Sequence, residues 1–522
     1  MALESSNQQQ YTATDAGKRL ILLEDLTRFV LWLLFTILTV NMLFLTFVMY
    51  RRLARKRYYA VKDSARDRYQ HVITKFLRGE LEVSQTASLL EEATSQPEQD
   101  ALEEMLLNAP PEQRARISEL LFALGNVERW ARTAFGYRRG RTFVQRAFRG
   151  DAPLGTGPAN RWNPILRLRF FSVPRAIAIE RLGSLTPLLA TYFSTEALAD
   201  PAFEVQRTAI GVLGRHRVPA AIPQLVKELQ RAVEQASDLS LRSVKAALVS
   251  YQIDDLPWFL PVLAHPNSRV RFFLVDAIRE ICLHAARTLP LNKNDFSQPF
   301  YEIFLDQMSA DTSADVRARS AAVIGYFRDQ RAAQVLRRLL TDENEFVRLH
   351  ATRACADRLF ATLVPDLLRR LEDPKWRVRE SAARALRAMD RDGFDELLRL
   401  FIATTDRYTA DQIIDEIQRS GTVEDVVSSL VPGNADFALA EAVCRKMVQM
   451  GKTSLLLNAL ASSGVPDEAR AVMMDAIALA PPPEFYPLLQ ALSQQESALG
   501  FKAASVMSAS AVRRAAVGGA DA

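Results

Sequence analysis

The residue types that most often carry chemistry are sparse in this chain. His71, His216, His265, His284 and His350 are scattered, and none stands at HExxH or another metal-ligand spacing. Cys282, Cys355 and Cys444 are isolated, without a CxxC pair, so neither a zinc site nor a disulfide is expected and the thiols suit a reducing compartment. Gly451-Lys452-Thr453 imitates the end of a phosphate-binding loop, but Lys446 occupies the place of its first glycine and no strand-like run precedes it. Gly155-Thr-Gly157 lacks the third glycine of a dinucleotide site, and no GxSxG elbow occurs. No catalytic residue, cofactor site or metal site is assigned, and the chain is expected not to be an enzyme.

The chemistry the sequence does offer is anion binding by arginine. Tyr137–Arg175 holds nine arginines against one acid, Asp151, a net charge of +8. Arg138, Arg139, Arg141, Arg146, Arg149, Arg161, Arg167 and Arg169 are the candidate partner- or lipid-binding residues. Residues 151–164 carry Gly155, Gly157 and three prolines and read as a loop. Phe143, Phe148, Trp162, Phe170 and Phe171 interleave with the charges. Three readings stay open: contact with acidic lipid, contact with an acidic partner, or a solvated segment whose aromatics pack on its neighbours. A second basic group, Arg51, Arg52, Arg55, Lys56 and Arg57, directly follows an uncharged run of 22 residues, Phe29–Tyr50. Only Thr36, Thr39, Asn41 and Thr46 interrupt that run.

Positioning these groups falls to helices. The 522 residues exceed one ordinary core, and after residue 50 the chain is rich in Ala, Leu, Arg and Glu. Its main signal is self-similarity. Asp311-Thr-Ser-Ala-Asp-Val-Arg317 returns as Asp342-Glu-Asn-Glu-Phe-Val-Arg348 and as Asp373-Pro-Lys-Trp-Arg-Val-Arg379, 31 residues apart each time. Weaker copies are Asp200-Pro-Ala-Phe-Glu-Val-Gln206 and His265-Pro-Asn-Ser-Arg-Val-Arg271. Small apolar residues follow the later copies, as in Ser381-Ala-Ala-Arg-Ala-Leu386, and a second apolar run comes after each: 332–340, 363–371 and 394–401. An Asp that opens a helix, then Val and small residues three or four apart, predicts a capped amphipathic helix. Each repeat then reads as a helical hairpin. Turn signals at 390–393, Gly421, Gly451 and Pro481, with Leu430, Leu460 and Leu492, extend the period to about residue 500. The interval between Arg271 and Arg317 stretches to 46, and 287–300 reads as an inserted loop. Asp311, Arg317, Asp342, Arg348, Asp373 and Arg379 are expected to form a structural ladder, each Asp capping a helix and each Arg reaching the next Asp.

On these residues the chain resembles the HEAT-repeat family, in particular its short HEAT-like branch. The resemblance is specific over 200–401 and weaker on either side. It implies an all-α fold, an α-solenoid of stacked hairpins with an extended binding surface. Short HEAT-like repeats also resemble those of phycobilin lyases, but this chain shows no pigment-binding signature, and that enzyme class stands only as a remote alternative.

Phe29–Tyr50 is long and apolar enough to span a bilayer, and too long for the core of a signal peptide. The Lys/Arg excess on its C-terminal side puts the N-terminus outside and the rest in the cytoplasm, in a bacterium at the inner membrane. The expected organisation is an extracytoplasmic tail (1–28), a transmembrane helix (29–50), a juxtamembrane helical region (51–135) with a loop at 94–100, an Arg-rich segment (136–175), a solenoid (176–500) and a tail (501–522). The layout is similar to that of membrane-anchored HEAT-repeat accessory proteins of bacterial exopolysaccharide synthases. The expected function is therefore a membrane-anchored scaffold that binds a protein, with a membrane glycosyltransferase complex as one candidate partner. The alternative is an anionic lipid or ligand sensor acting through Tyr137–Arg175. Nucleic acid, which would use the same residue types, is not expected at such a tether, and the net charge of +5 is too small to argue for it.

Overall fold

The computed structural model describes the backbone of residues 2–136, 144–147, 169–419, 423–478 and 481–518, and within these the side chains from Arg28 onward except at 111, 169–170, 238–239, 358, 390, 419 and 511–518. Every regular element among the described residues is a helix, and the contacts divide into Met1–Ala209 and Ile210–Ala522.

The first unit opens with α1, Ala2–Leu77, 76 residues without a break. The apolar run is therefore not a separate element: the same helix carries it, the basic group after it and the first core residues. Val83–Leu90 (α2), Gln96–Leu107 (α3), Arg114–Ala123 (α4) and Asn126–Phe135 (α5) follow. Ala65, Tyr69, Ile73 and Phe76, three or four residues apart, form the buried face of α1 among the described residues. That face packs chiefly on α3. Polar links flank the contact: the Tyr58 hydroxyl donates to Asp100, Lys62 Nζ lies 2.5 Å from Glu104, and Arg66 Nη2 lies 3.1 Å from Glu104. The Asp100 contact and burial push the Tyr58 phenol up to about 12. The loop expected at 94–100 is shorter, because α3 starts at Gln96. Ser95 and Glu98 close a capping box there, with Ser95 N–H donating to Glu98 Oε2 at 3.1 Å. Arg169–Leu182 (α6), Pro187–Ala197 (α7) and Phe203–His216 (α8) complete this part, the division between units falling inside α8.

The second unit is a stack of helical hairpins. Ile222–Glu234 (α9), Asp238–Val249 (α10), Leu260–Leu263 (α11), Ser268–Ala286 (α12) and Gln298–Asp306 (α13) lead into three regular repeats. These are Ala314–Ile324 with Gln330–Leu339 (α14, α15), Glu345–Ala354 with Val364–Arg370 (α16, α17) and Trp376–Ala388 with Asp390–Ala403 (α18, α19). Arg407–Arg419 (α20), Val423–Ser428 (α21), Phe437–Gln449 (α22), Ser454–Ala461 (α23), Asp467–Ile477 (α24), Tyr486–Ser493 (α25) and Ala498–Gly518 (α26) continue it, so residues 501–518 are helical. First helices pack on first helices (α10, α12, α14, α16, α18, α20), and α13–α15 and α17–α19 do so in the second layer. The core between the layers is built from Val316, Ala321, Val347, Ala351, Val378 and Ala382 on one side and Leu336, Leu367 and Leu397 on the other, all nearly fully buried.

Two expected irregularities are shorter than the sequence suggested. The inserted loop ends before Gln298, where α13 begins, and part of the 46-residue interval is taken up by α12, which runs for 19 residues. The turn expected at 390–393 lies inside α19. The chain reverses at Met389, so tightly that a Cβ on Gly393 would sit 2.2 Å from the Leu386 carbonyl oxygen.

Candidate interaction surface

The Asp–Arg ladder is a set of forked ion pairs between successive first helices. Arg317 Nε and Nη2 donate to the two carboxylate oxygens of Asp342 at 2.8 and 2.9 Å. Arg348 does the same to Asp373 at 2.8 and 3.1 Å. Each arginine also donates Nη1 back to the carbonyl of the Asp six residues earlier: Arg317 to Asp311, Arg348 to Asp342 and Arg379 to Asp373, at 2.9, 2.9 and 2.7 Å. The fork matches the planar guanidinium. The Asp residues are not the helix caps the sequence suggested. They stand two residues ahead of Ser313, Asn344 and Lys375, which occupy the cap positions, and accept their N–H groups at 2.8–3.0 Å. Burial opposes ionisation of Asp311, Asp342 and Asp373, but the arginine and N–H donors outweigh it and hold all three below the usual carboxylate range.

Two rungs lie outside the three regular copies. Arg271 reaches Asp311 across 40 residues at 2.7 and 2.8 Å, so the insertion bulges out and leaves the rung intact. Arg175, at the end of the basic segment, is buried and grips Asp200 through two bonds of 2.9 Å. The degenerate copies keep the local half of the pattern. Gln206 still bonds the Asp200 carbonyl at 2.6 Å, and His265 Nδ1 accepts from Asn267 N–H as the Asp would. Arg175, Arg271, Arg317 and Arg348 thus already hold internal carboxylates, whereas Arg379 does not reach a next Asp as the sequence suggested and keeps only its local bond to the Asp373 carbonyl among the described residues.

A second network crosses the same layer. Asp276, nearly buried, is met by Lys245 at 2.6 Å, Arg319 at 3.0 Å and Arg279 at 3.1 Å. Arg319 also approaches His350 Nε2 at 3.3 Å. Burial and then the charge of Arg319 lower His350 to about 4.

What these networks leave outward is aromatic. Phe346, Trp376 and Tyr408 open three consecutive first helices, α16, α18 and α20, and are 48 %, 57 % and 78 % exposed. Phe346 and Trp376 flank a cleft of about 280 Å³ with Leu349, Lys375 and Arg377. The Arg377 guanidinium lies 5.5 Å from the Trp376 ring centroid. Sequence reading passed over these residues, although Phe346 and Trp376 stand inside the quoted repeats; the signal was an aromatic at the polar opening of a helix. Large aromatics and arginine are the groups enriched at protein interfaces.

The basic residues singled out from sequence fall in different places. Arg51, Arg52, Arg55, Lys56 and Arg57 are all exposed on α1. Arg138, Arg139, Arg141, Arg149, Arg161 and Arg167 lie outside the described residues, as do Phe143, Phe148 and Trp162; Arg146 is half-buried, and Arg169 begins α6. Gly451 closes α22 in the left-handed conformation, with Lys452 N–H returning to the Met447 carbonyl, so Gly-Lys-Thr follows a helix and not a strand. Cys282, Cys355 and Cys444 are buried. Among the described residues, no group of three or more His, Cys, Asp or Glu could hold a metal ion.

The family described as HEAT repeats matches residues 301–387. No curated protein matches the chain. Among solved structures, Kap121p bound to Pho4p is 14 % identical, the match covering 81 % of this chain and 51 % of that one, with a TM-score of 0.35. Kap95p, solved with RanGDP, is 12 % identical over 82 % of this chain and 63 % of that one, TM-score 0.31. An engineered protein is 16 % identical over 81 % and 98 %, TM-score 0.28. The HEAT-repeat match thus falls on two of the regular hairpins, and the described part of Ile210–Ala522 is built as stacked helix pairs, an arrangement suited to protein–protein contact.

Proposed function

We propose that this protein is a scaffold held at a membrane by Phe29–Tyr50, whose repeats bind a protein on the side of the basic flank. One observation carries the reading. The apolar window of α1 is long enough to cross a bilayer, and none of it is buried against the rest of the chain. A soluble core helix would hide such a surface. The polar side chains fit lipid as well: Thr36, Thr39 and Thr46 each return their hydroxyl to the carbonyl four residues back at 2.8 Å, which meets their hydrogen-bonding need without water. Arg51–Arg57 would lie at the interface, each contributing about 1 kcal/mol on an anionic leaflet. Their excess favours the cytoplasmic side of a bacterial inner membrane.

The partner surface in this reading is the row Phe346, Trp376 and Tyr408. The specific candidate remains a membrane glycosyltransferase complex of exopolysaccharide synthesis, on the layout of one span, a basic flank and repeats. The test is crosslinking and affinity purification of the full chain from membranes. A stoichiometric protein should be recovered, and Trp376→Ala with Tyr408→Ala should lose it while folding is unchanged. Recovery of no stoichiometric protein after crosslinking, or equal recovery by the double variant, overturns the scaffold assignment. The net charge of +8 over Tyr137–Arg175 supports an added contact with anionic lipid. Flotation of a span-deleted chain should fall when Arg138, Arg139 and Arg141 become Glu, and equal flotation removes that contact.

A further inference from the structure

Asn41 is the one strongly polar side chain in the apolar run that does not satisfy itself. The three threonines fold back on their own helix, yet the Asn41 amide has no hydrogen-bond partner among the described residues and is exposed. It also sits about 2 Å from the middle of Phe29–Tyr50 along the helix axis, the depth at which no lipid group can bond it. A primary amide left alone in hydrocarbon costs several kcal/mol.

We infer that Asn41 pairs with Asn41 of a second copy of this chain, so that the span is the seam of a homodimer; the inference rests on the membrane reading above. Three features select a second copy over an unrelated span. A carboxamide both donates and accepts, so it is its own complement. Every copy inserts with the same orientation, so a two-fold axis along the bilayer normal brings both amides to one depth without adjustment. Leu34, Ile37, Phe44 and Val48, three or four positions from Asn41 or one heptad away, share its face and are all exposed, giving each amide a flanking apolar seam. The like-charged flanks at Arg51–Arg57 oppose close approach, but they lie among head groups where ions screen them.

The test uses full-length chains carrying a donor or an acceptor dye on an N-terminal tag, reconstituted into phosphatidylcholine/phosphatidylglycerol vesicles. Energy transfer is followed as lipid dilutes protein. The wild type should dimerise, and Asn41→Leu should weaken the dimer about three- to thirtyfold. Asn41→Gln, which keeps an amide, should restore most of the loss. Thr39→Val, a change on the opposite face, should match the wild type. Carbonate extraction of the same vesicles separates the two failures. A wild type that resists carbonate but stays monomeric, or an Asn41→Leu dimer as strong as the wild type, overturns this inference alone. A wild type stripped off by carbonate overturns the membrane reading with it.

Discussion

Replacing Arg348 by Met tests whether the ladder holds adjacent repeats together. The substitution keeps much of the aliphatic stem and removes the guanidinium. Four hydrogen bonds go with it: 2.8 and 3.1 Å to Asp373, 2.9 Å to the Asp342 carbonyl and 3.0 Å to the Glu343 carbonyl. The Asp373 side chain has no exposed surface. It would keep only Arg370 at 3.3 Å and the Lys375 N–H at 3.0 Å. Breaking a buried ion pair by removing one member costs about 3–5 kcal/mol, and the remaining Arg370 places this case near 3 kcal/mol. Repeat stacks lose stability at the interface touched, so the loss belongs to the opening of α16 from α18. Hydrogen exchange of the full chain in detergent should show amides of both helices exchanging about 150-fold faster, at roughly 1.4 kcal/mol per factor of ten. Adding Asp373→Asn should recover about 2 kcal/mol, because the uncompensated charge is then gone. Arg337→Met is the control: that arginine is 47 % exposed on its contact with Asp366, and such pairs contribute about 0–1 kcal/mol. Less than a tenfold change for Arg348→Met, or a change equal to the control, refutes the structural role.

Further outcomes follow from single sites. His350 is held near 4, below its unfolded value, so the unfolded chain binds the extra proton between those limits; stability should be full above about pH 6.5 and fall by about 2 kcal/mol by pH 5. Melting at pH 7 and pH 5 should show this, and His350→Gln should flatten it. Gly393→Ala should destabilise by about 1–3 kcal/mol in urea titration, because its Cβ meets the backbone at Leu386 and not a movable side chain. The buried thiols should resist iodoacetamide at pH 8 until the chain is unfolded, since burial raises all three, Cys444 to about 12.

The period, the hairpins and two of the rungs could be read from the chain because they rest on linear information. A motif repeated every 31 residues places Arg317, Arg348 and their aspartates in equivalent settings, and a forked cation beside a carboxylate has one obvious use. The apolar run at Phe29–Tyr50 is legible for the same reason, as an unbroken length of uncharged residues. Ser95 and Glu98 were not read: they form a capping box inside a stretch expected to be a loop. Sequence was weaker wherever function depends on what remains uncovered. The exposed row Phe346, Trp376 and Tyr408 needs the packing of α16, α18 and α20 before it can be told from core.

Sequence by itself determined the helical class, the repeat length, the ladder chemistry and the position of the apolar run. Those are set by side-chain type at fixed spacing along one chain. Tertiary structure alone decided that Arg271 reaches Asp311 across an insertion, that Arg175 is buried on Asp200 and not free in a basic surface, and that α1 carries its apolar run unbroken onto α3. The Arg271 rung and the packing of α1 depend on which distant residues meet, and register along the chain carries no record of that once an insertion or a continuous helix intervenes; the Arg175 rung keeps the regular 25-residue span, but its burial is set by packing.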